Sequence, residues 1–257
     1  MQQKNLDSPI RVDPERRGTV TQNAVAATAR GLPFMATKAL EGGGVKTSLV
    51  QRVYEALLAE LDDGTLRPGQ RIVSSTMARR LKLSRAPVRE ALHVLAGRGL
   101  VELHPDRGAL LRKLQRQDLA ELYELAGPIV AVGVRAAAQR IREGDNARRI
   151  EAAIERIRAS RDLRPRFRFY LVLNDFHYVA NDIGRKAWVD FVMRSINIEY
   201  WNRMLAEAID LDVHVPTYVH NYERLADSML AGDGRAAEAI IIGHCEWAAS
   251  LCAPSRP

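Results

Sequence analysis

Three stretches in the first half of the chain carry apolar residues three and four positions apart, the spacing of one helix face. The stripes are Leu49/Val53/Leu57/Leu61, Met77/Ala78/Leu81 and Val88/Ala91/Leu92/Leu95. Asp62-Asp63-Gly64 ends the first predicted helix, and Ser74 offers a hydroxyl that caps the second. Only Lys82-Leu83 separates the second helix from the third. Two helices joined by so short a turn predict a helix-turn-helix.

Extended segments flank these helices. Residues 66–72 pass through a Pro-Gly turn and predict a short extended piece. Residues 100–104 and 109–111 surround a Pro-Asp-Arg-Gly turn and predict a hairpin. Three helices with such a hairpin form a winged helix. Arg107 then lies at the wing tip, where we expect it to reach a minor groove or phosphates.

The third helix combines its apolar stripe with a basic face. Ser84 is placed to cap the helix, and Pro87 lies in the first turn, where a missing N–H is tolerated. Arg85 and Arg89 are four positions apart and project from the side opposite the stripe. Arginine bonds guanine O6 and N7 bidentately, and a helix N-terminus attracts phosphate. The segment predicts a helix for the DNA major groove; the alternative is a surface helix with solvated arginines.

Positive charge is concentrated in the same part of the chain. The chain has a formal net charge of +7 and a pI of about 9.7. Residues 45–113 contain 13 Lys and Arg against 7 Asp and Glu, so most of the excess lies there. A concentrated basic domain is typical of a protein that binds nucleic-acid phosphates.

From residue 117 onward the apolar periodicity is helical throughout. Predicted helices span about 118–141, 147–160, 165–182, 185–209, 216–231 and 234–251, with breaks at Gly184, Pro216 and Gly232. We therefore predict a mainly α chain, with a winged helix-turn-helix domain at 45–115 and an all-α bundle of about six helices at 116–252. Residues 1–44 show little periodicity and end in three glycines, which predicts a disordered tail.

Other protein classes have little support in the sequence. It contains no run of eighteen apolar residues and no signal-peptide pattern, so we expect no membrane partner and a cytoplasmic location. Cys245 and Cys252 lie seven positions apart on one predicted helix, too far to bridge each other, and are expected to be buried thiols. The sequence has no Gly-rich phosphate loop, nucleophile elbow or His-Glu-x-x-His motif, so we do not expect an enzyme.

The segment 46–114 resembles the DNA-binding domain of GntR-family transcription regulators. The resemblance is carried by Gly-Thr-Leu-Arg-Pro-Gly-Gln-Arg-Ile from position 64, by Leu-Lys-Leu-Ser-Arg-Ala-Pro-Val-Arg-Glu-Ala-Leu-His-Val-Leu from position 81, and by the later Gly-Leu-Val-Glu and Arg-Gly-Ala. It implies that the recognition-helix positions are Ser84, Arg85, Pro87 and Arg89, and that the wing turn is at Gly108.

Two positions depart from the pattern of that family. Lys82 stands where the family usually has a glycine, just before the recognition helix. Ser75 stands where some relatives place an arginine on DNA. Both departures bear on which DNA sequence is bound rather than on whether DNA is bound.

The bundle resembles the effector-binding FCD domain of the FadR subfamily. The matching motifs are Asp118-Leu119-Ala120-Glu121-Leu122-Tyr123-Glu124-Leu125, Phe176-His177, and Ala231-Gly232-Asp233 followed by His244. In many relatives one Asp and three His hold a divalent metal, which binds a carboxylate of a small effector. Imidazole and carboxylate ligands suit zinc, nickel or manganese.

This chain matches only part of that metal site. His177 and His244 correspond to two of the histidines. Leu173 stands where the carboxylate is expected, and Tyr222 where the remaining histidine is expected. The usual arginine and glutamate of the first bundle helix are also missing, because residues 126–130 are Ala-Gly-Pro-Ile-Val.

Two interpretations of this site remain open. In the first, nearby residues complete a metal site at His177 and His244; the candidates are Asn174, Asp175, His214 and His220, although Asp175 points elsewhere on a helix. In the second, His177 and His244 line a polar pocket and hydrogen-bond an organic ligand or Tyr222 without a metal. The candidate effector-binding residues are therefore His177, Tyr222, His244, Asn174 and His220. Tyr200-Trp201 is a further candidate for lining a pocket, or for core or dimer contacts.

We therefore expect a DNA-binding transcription regulator, and a repressor, that binds a palindromic operator as a homodimer. A small-molecule effector, a carboxylate metabolite by resemblance, is expected in the helical domain. One alternative is a metal-free regulator that senses a larger organic ligand. Another is an architectural DNA-binding protein that responds to no effector.

Overall fold

The computed structural model describes residues 48–105, 108–196 and 198–252. The predicted tail at 1–44 and the wing-tip residue Arg107 lie outside these ranges. None of the described helices is long and apolar enough to cross a membrane.

The first part of the described chain is a winged helix-turn-helix, called here the head. Its elements are α1 (Leu49–Asp62), β1 (Arg71–Ile72), α2 (Ser74–Leu81), α3 (Arg85–Gly97), β2 (Val101–His104) and β3 (Gly108–Leu111). The three strands form one antiparallel sheet in the order β1-β3-β2. The hairpin register pairs His104 with Gly108 and Val101 with Leu111.

The predicted apolar stripes form the core of the head. The buried face of α3 consists of Val88, Ala91, Leu92 and Leu95, which pack against α1 and α2. Ser48 caps α1, because its hydroxyl accepts a hydrogen bond from the Gln51 amide at 3.2 Å. The expected cap of α2 is wrong: Ser74 lies inside the helix, and the capping position is Val73, which has no side-chain oxygen. Ser84 is the N-cap residue of α3, but its hydroxyl makes no capping hydrogen bond.

The turn between α2 and α3 depends on a left-handed residue. Lys82 ends α2 with a φ of 55° and a ψ of 47°. A residue with a Cβ is strained in this conformation, whereas glycine is not. This left-handed conformation explains why glycine is usual at this position in the GntR family.

The second part of the described chain is an all-α bundle. Its helices are α4 (Arg116–Gln139), α5 (Asn146–Ala159), α6 (Phe167–Ile183), α7 (Ala187–Ser195), α8 (Ile198–Ala208), α9 (Leu211–Leu230) and α10 (Gly234–Cys252). The mainly α fold class is confirmed, but the one helix expected at 185–209 is two helices, α7 and α8. Neither glycine nor proline lies at this break, and the sequence signal for it is the weaker one of Asn197, a favoured N-cap residue type directly before Ile198.

Two prolines lie inside bundle helices rather than at their ends. Pro216 was expected to begin a helix, but α9 begins at Leu211 and continues through it. The Asp210 carboxylate caps this earlier start by accepting from the Asp212 amide at 3.1 Å. Pro128 lies within α4 in the same way. Each proline removes one backbone donor, which the packed helix tolerates.

Helix α4 is the centre of the bundle, and its most extensive partner is α10. Small residues bring these helices together. A Cβ added to Gly127 would lie 3.2 Å from Cβ of Cys245, which is tighter than normal packing. A Cβ added to Gly133 would lie 2.0 Å from Oδ1 of Asn181 on α6. Glycine at position 133 therefore leaves room for the Asn181 side chain, and glycine at position 127 avoids a tight contact with Cys245.

Candidate DNA-binding surface and effector cavity

The basic face of α3 is open to solvent. Ser84, Arg85 and Arg89 are exposed, and Pro87 is half-buried in the first turn. Within the described residues, neither arginine makes an ion pair or a side-chain hydrogen bond. The guanidinium groups of α3 are thus available to an external partner.

Other arginines of the head are engaged in holding its helices together. The Arg52 guanidinium donates to the Leu81 carbonyl at 2.9 Å, which ties α1 to the end of α2. The Arg80 guanidinium donates to the Ala56 carbonyl at 2.9 Å and pairs with the Glu60 carboxylate at 2.6 Å. These contacts separate arginines that support the fold from the two available on α3.

The remaining predicted DNA-binding residues lie on α2 and the wing. Ser75 is half-buried in the first turn of α2. Gly108 is exposed at the start of β3 with a φ of 74°, a conformation that favours glycine in the hairpin turn. Arg71 on the neighbouring strand lies beside it, since a Cβ at Gly108 would be 3.9 Å from the Arg71 Nε.

The bundle contains a partly open cavity of about 70 Å³ between α4, α6, α7, α8, α9 and α10. Its lining is mostly apolar and aromatic. The lining includes Tyr123, Asn174, His177, Trp201, Asn202 and Tyr218.

Three tyrosines form a hydrogen-bonded cluster in one wall. The Tyr218 hydroxyl lies 3.0 Å from that of Tyr123 and 3.2 Å from that of Tyr170. Burial raises the pKa of Tyr123 and of Tyr170 well above the ordinary tyrosine value. The cluster therefore stays neutral and supplies polar edges without charge.

Two histidines also line the cavity, and the His244 ring lies against Tyr218 of this cluster, with the ring centroids 5.1 Å apart. The His177 Nε2 lies 2.8 Å from the Tyr222 hydroxyl, and the His244 Nδ1 lies 3.1 Å from the Asn221 amide nitrogen. Burial lowers the pKa of His177 to about 4. Burial, with a smaller effect of His177, lowers the pKa of His244 to about 3. Both imidazoles are therefore neutral at physiological pH.

The structure brings together most of the predicted effector-binding residues. His177, Tyr222, His244 and Asn174 all line the cavity. His220 does not line it and is exposed on α9. It is two positions from both Tyr218 and Tyr222, so it lies on the other side of the helix. Trp201 also lines the cavity, whereas its neighbour Tyr200 contacts the head.

Several lining residues carried no usable sequence signal. Tyr123, Tyr170 and Tyr218 lie on three different helices, and each fits an apolar stripe as ordinary core. Asn202 is 2% exposed and was not identified at all. A polar residue on the inner face of a predicted helix is the one signal that points to it.

The residues present do not fit the four-ligand metal site. Leu173, at the expected carboxylate position, is buried and lines the cavity. Tyr222, at the position of the expected third histidine, supplies a hydroxyl that lies 2.8 Å from the His177 Nε2 instead of an imidazole ligand. Within the part of the chain that the structure describes, no three His, Cys, Asp or Glu side chains group as metal ligands.

Helix α8 contacts the head as well as the cavity. Its Tyr200 hydroxyl donates to the Arg112 carbonyl, just beyond β3. Its Arg203 Nε donates to Oδ1 of Asp62, in the last turn of α1, at 2.6 Å. Trp201, between them, lines both the cavity and the cleft between the bundle and the head.

Comparison with known proteins assigns both parts of the chain. The model for "Bacterial regulatory proteins, gntR family" matches residues 49–111, and the model for the "FCD domain" matches residues 121–246. Together these two matches span most of the chain.

The relatives and a solved structure agree with this assignment. A Paenarthrobacter nicotinovorans protein named "Probable D-xylose utilization operon transcriptional repressor" is 24% identical over 77% of this chain and 86% of its own length. The "HTH-type transcriptional regulator LutR" of Bacillus subtilis (strain 168) is 24% identical over 72% of this chain and 92% of its own. The solved structure "E. coli McbR/YncC" shares the fold, with a TM-score of 0.63, 19% identity and coverage of 80% of this chain and 98% of that chain.

These findings confirm the predicted family and agree with the prediction that the chain is not an enzyme. The chain belongs to the GntR family of bacterial regulatory proteins, and is a transcription regulator with a GntR helix-turn-helix followed by an FCD effector-binding domain.

Proposed function

We propose that this regulator binds a palindromic operator as a homodimer and represses transcription until a small organic effector occupies the bundle cavity. One observation carries the proposal. Arg85 and Arg89 are exposed and without partners in the described residues, on a helix whose opposite face is buried. That arrangement suits direct contact with guanine bases and phosphates.

The proposal of a dimer rests on the size of the recognition element. Helix α3 is 13 residues long and offers two arginines from its first half. One such helix covers a single half-site, and two-fold symmetric proteins match palindromic operators with half-sites about 34–36 Å apart. A second copy supplies the second helix and doubles the contacts.

The proposal of repression is supported by a relative. The Paenarthrobacter protein is named as a transcriptional repressor. An FCD domain beneath a winged helix gives such a repressor a place for an inducer. We propose that an effector bound to the FCD domain releases this protein from DNA in the same way. We also propose that the protein acts in the cytoplasm.

Helix α8 provides the route from the cavity to the head. Trp201 lines the cavity, while Tyr200 and Arg203 bond residues of the head. An effector that displaces Trp201 shifts the two anchor residues on the same helix. The effector then favours one placement of the head over another, which is the requirement for coupling between two sites.

We propose that the effector contacts side chains directly rather than through a metal. The incomplete ligand set at His177 and His244 supports this. When a metal is bound in a relative of this family, it supplies a Lewis-acidic site for a carboxylate. Here Leu173 removes the carboxylate ligand and places an apolar side chain in the lining.

The test is selection of binding sites from random DNA with the full chain, followed by analytical ultracentrifugation of the complex. We expect enriched sites with two-fold symmetry and two protein chains per site. Competition with unselected DNA then measures preference. Equal affinity for selected and unselected DNA would contradict the proposal and favour an architectural DNA-binding protein.

A further inference from the structure

We infer that the bundle cavity binds an uncharged, compact molecule with one ring and acceptor oxygens, rather than a carboxylate. The inference rests on the proposed function, in which this cavity holds the effector. Four features of the lining carry it: its charge, its unpaired donors, its aromatic walls and its size.

The first feature is the absence of a cationic partner. None of the described residues lining the cavity is an arginine or a lysine. The first bundle helix has Ala126 and Ile129 in the lining, within the stretch where the family usually has an arginine. A carboxylate placed here would lose its hydration and find no opposite charge, which strongly disfavours a buried ion.

The second feature is a surplus of donors. The side-chain NH₂ groups of Asn174 and Asn202 are buried and have no hydrogen-bond partner among the described residues. Asn202 is 2% exposed, so bulk solvent does not reach its amide. Buried polar groups in native proteins are nearly always paired, and an unpaired donor in a cavity lining is a natural contact for a ligand oxygen.

The third feature is the aromatic lining. The rings of Tyr170 and Tyr218 meet edge to face, with centroids 5.6 Å apart. The Trp201 side chain and the thioether side chain of Met193 lie in the same lining. Aromatic edges and a polarisable sulfur pack well against the face of a flat ring.

The fourth feature is size. The cavity of about 70 Å³ is far below the roughly 300–1,000 Å³ of sites for drug-sized ligands. It suits a single ring more than the larger organic ligand considered from the sequence. Displacement of Trp201 by such a ring is the event that α8 would transmit to the head.

The test compares uncharged probes with acids of the same shape. Benzamide is compared with benzoate, benzyl alcohol with phenylacetate, and cyclohexanone with cyclohexanecarboxylate; phenol is a fourth uncharged probe without a matched acid. Binding to the full chain is measured by isothermal titration calorimetry at neutral pH. We expect at least one uncharged probe to bind at millimolar concentration, about tenfold or more tighter than its matched acid.

Variants locate the bound probe. Asn202→Leu keeps the branched heavy-atom skeleton but replaces the amide with two methyl groups, which removes one donor and should weaken that probe about tenfold. His220→Ala, on the exposed side of α9, is the matched control and should leave binding unchanged. Circular dichroism of both variants checks that each retains its helical content.

Other outcomes overturn the inference. Tighter binding of the acids, with or without added zinc, nickel or manganese, would show that a charged ligand is accommodated. Failure of every uncharged probe to bind would also contradict it, as would binding that Asn202→Leu does not alter. Operator binding by the ligand-free protein is measured in parallel, so these failures are distinguished from failure of the proposed regulator function.

Discussion

Arg203 on α8 and Asp62 on α1 form a two-point ion pair between the bundle and the head. The Arg203 Nε lies 2.6 Å from Oδ1 of Asp62, and its Nη2 lies 2.8 Å from Oδ2. The guanidinium also lies over the Phe167 ring, 4.0 Å from its centroid. Two parallel hydrogen bonds of this kind fix the orientation of the guanidinium relative to the carboxylate, in addition to pairing their charges.

This pair predicts that coupling and ligand binding are separable. Arg203→Gln removes the ion pair but leaves the cavity lining intact, so effector affinity should change little. The effector-induced change in operator affinity should fall to less than half that of the wild type, because one anchor of α8 is lost. Fluorescence anisotropy of labelled operator, with and without effector, measures this change.

The matched control for that experiment is Arg224→Gln. Arg224 is exposed on α9, and no ion pair is found for it among the described residues. The Arg224→Gln substitution removes the same charge from the same domain as Arg203→Gln. An equal loss of response in both variants would argue that net charge, not the contact with Asp62, carries the effect.

The turn before the recognition helix predicts a stabilising substitution. Lys82 has a φ of 55°, so Lys82→Gly should relieve strain and raise the free energy of unfolding by about 1 kcal/mol. Lys82→Ala removes the same side chain but keeps the strain, and should show no such gain. Urea unfolding followed by circular dichroism compares the three proteins; equal stability of the two variants would refute the strain argument.

The buried histidines predict loss of stability in mild acid. The folded-state pKa values of His177 and His244 are about 4 and about 3, below the ordinary value of about 6.5 for an unfolded histidine. The unfolded state therefore takes up protons first as the pH falls below about 6.5. The stabilising contribution, present above that pH, decreases down to the folded-state values, by roughly 2 kcal/mol per histidine at about pH 5.

Single substitutions test whether His177 and His244 cause this pH dependence of stability. His177→Gln and His244→Gln should each flatten the curve of unfolding free energy between about pH 6.5 and pH 5. His220→Gln, at an exposed position, should leave the slope as in the wild type. Parallel curves for all four proteins would show that other groups cause the acid sensitivity.

Helix α3, the proposed recognition helix, was predictable as a helix because its sequence signal is local. Val88, Ala91, Leu92 and Leu95 repeat at helical spacing and are buried as expected, which places Arg85 and Arg89 on the open face. A single short segment therefore contains both the apolar pattern that predicts the helix and the arginines proposed to contact DNA. The capping residue of α2 was missed because backbone geometry, not a side chain, begins that helix at Ser74.

The cavity was only partly predictable because its lining is not local. Tyr123 and Tyr218 are 95 positions apart in the sequence, and their hydroxyl contact depends on how α4 and α9 pack. Asn202 lies on α8, which the sequence-based prediction joined with α7 into one helix. His177 and His244 were found by family resemblance, whereas the neutral surroundings that lower their pKa values follow from burial.

The most direct test of the proposed function is operator affinity of the Arg89→Ala variant. The variant removes one guanidinium from each half-site of the proposed dimer complex, at a cost of about 1–3 kcal/mol of specific binding per half-site, so Kd should rise by well over tenfold with the fold unchanged. Arg142→Ala, an exposed arginine after α4, is the charge-matched control and should bind as the wild type does. Operator affinity within a few-fold of wild type for Arg89→Ala would show that α3 is not the recognition helix.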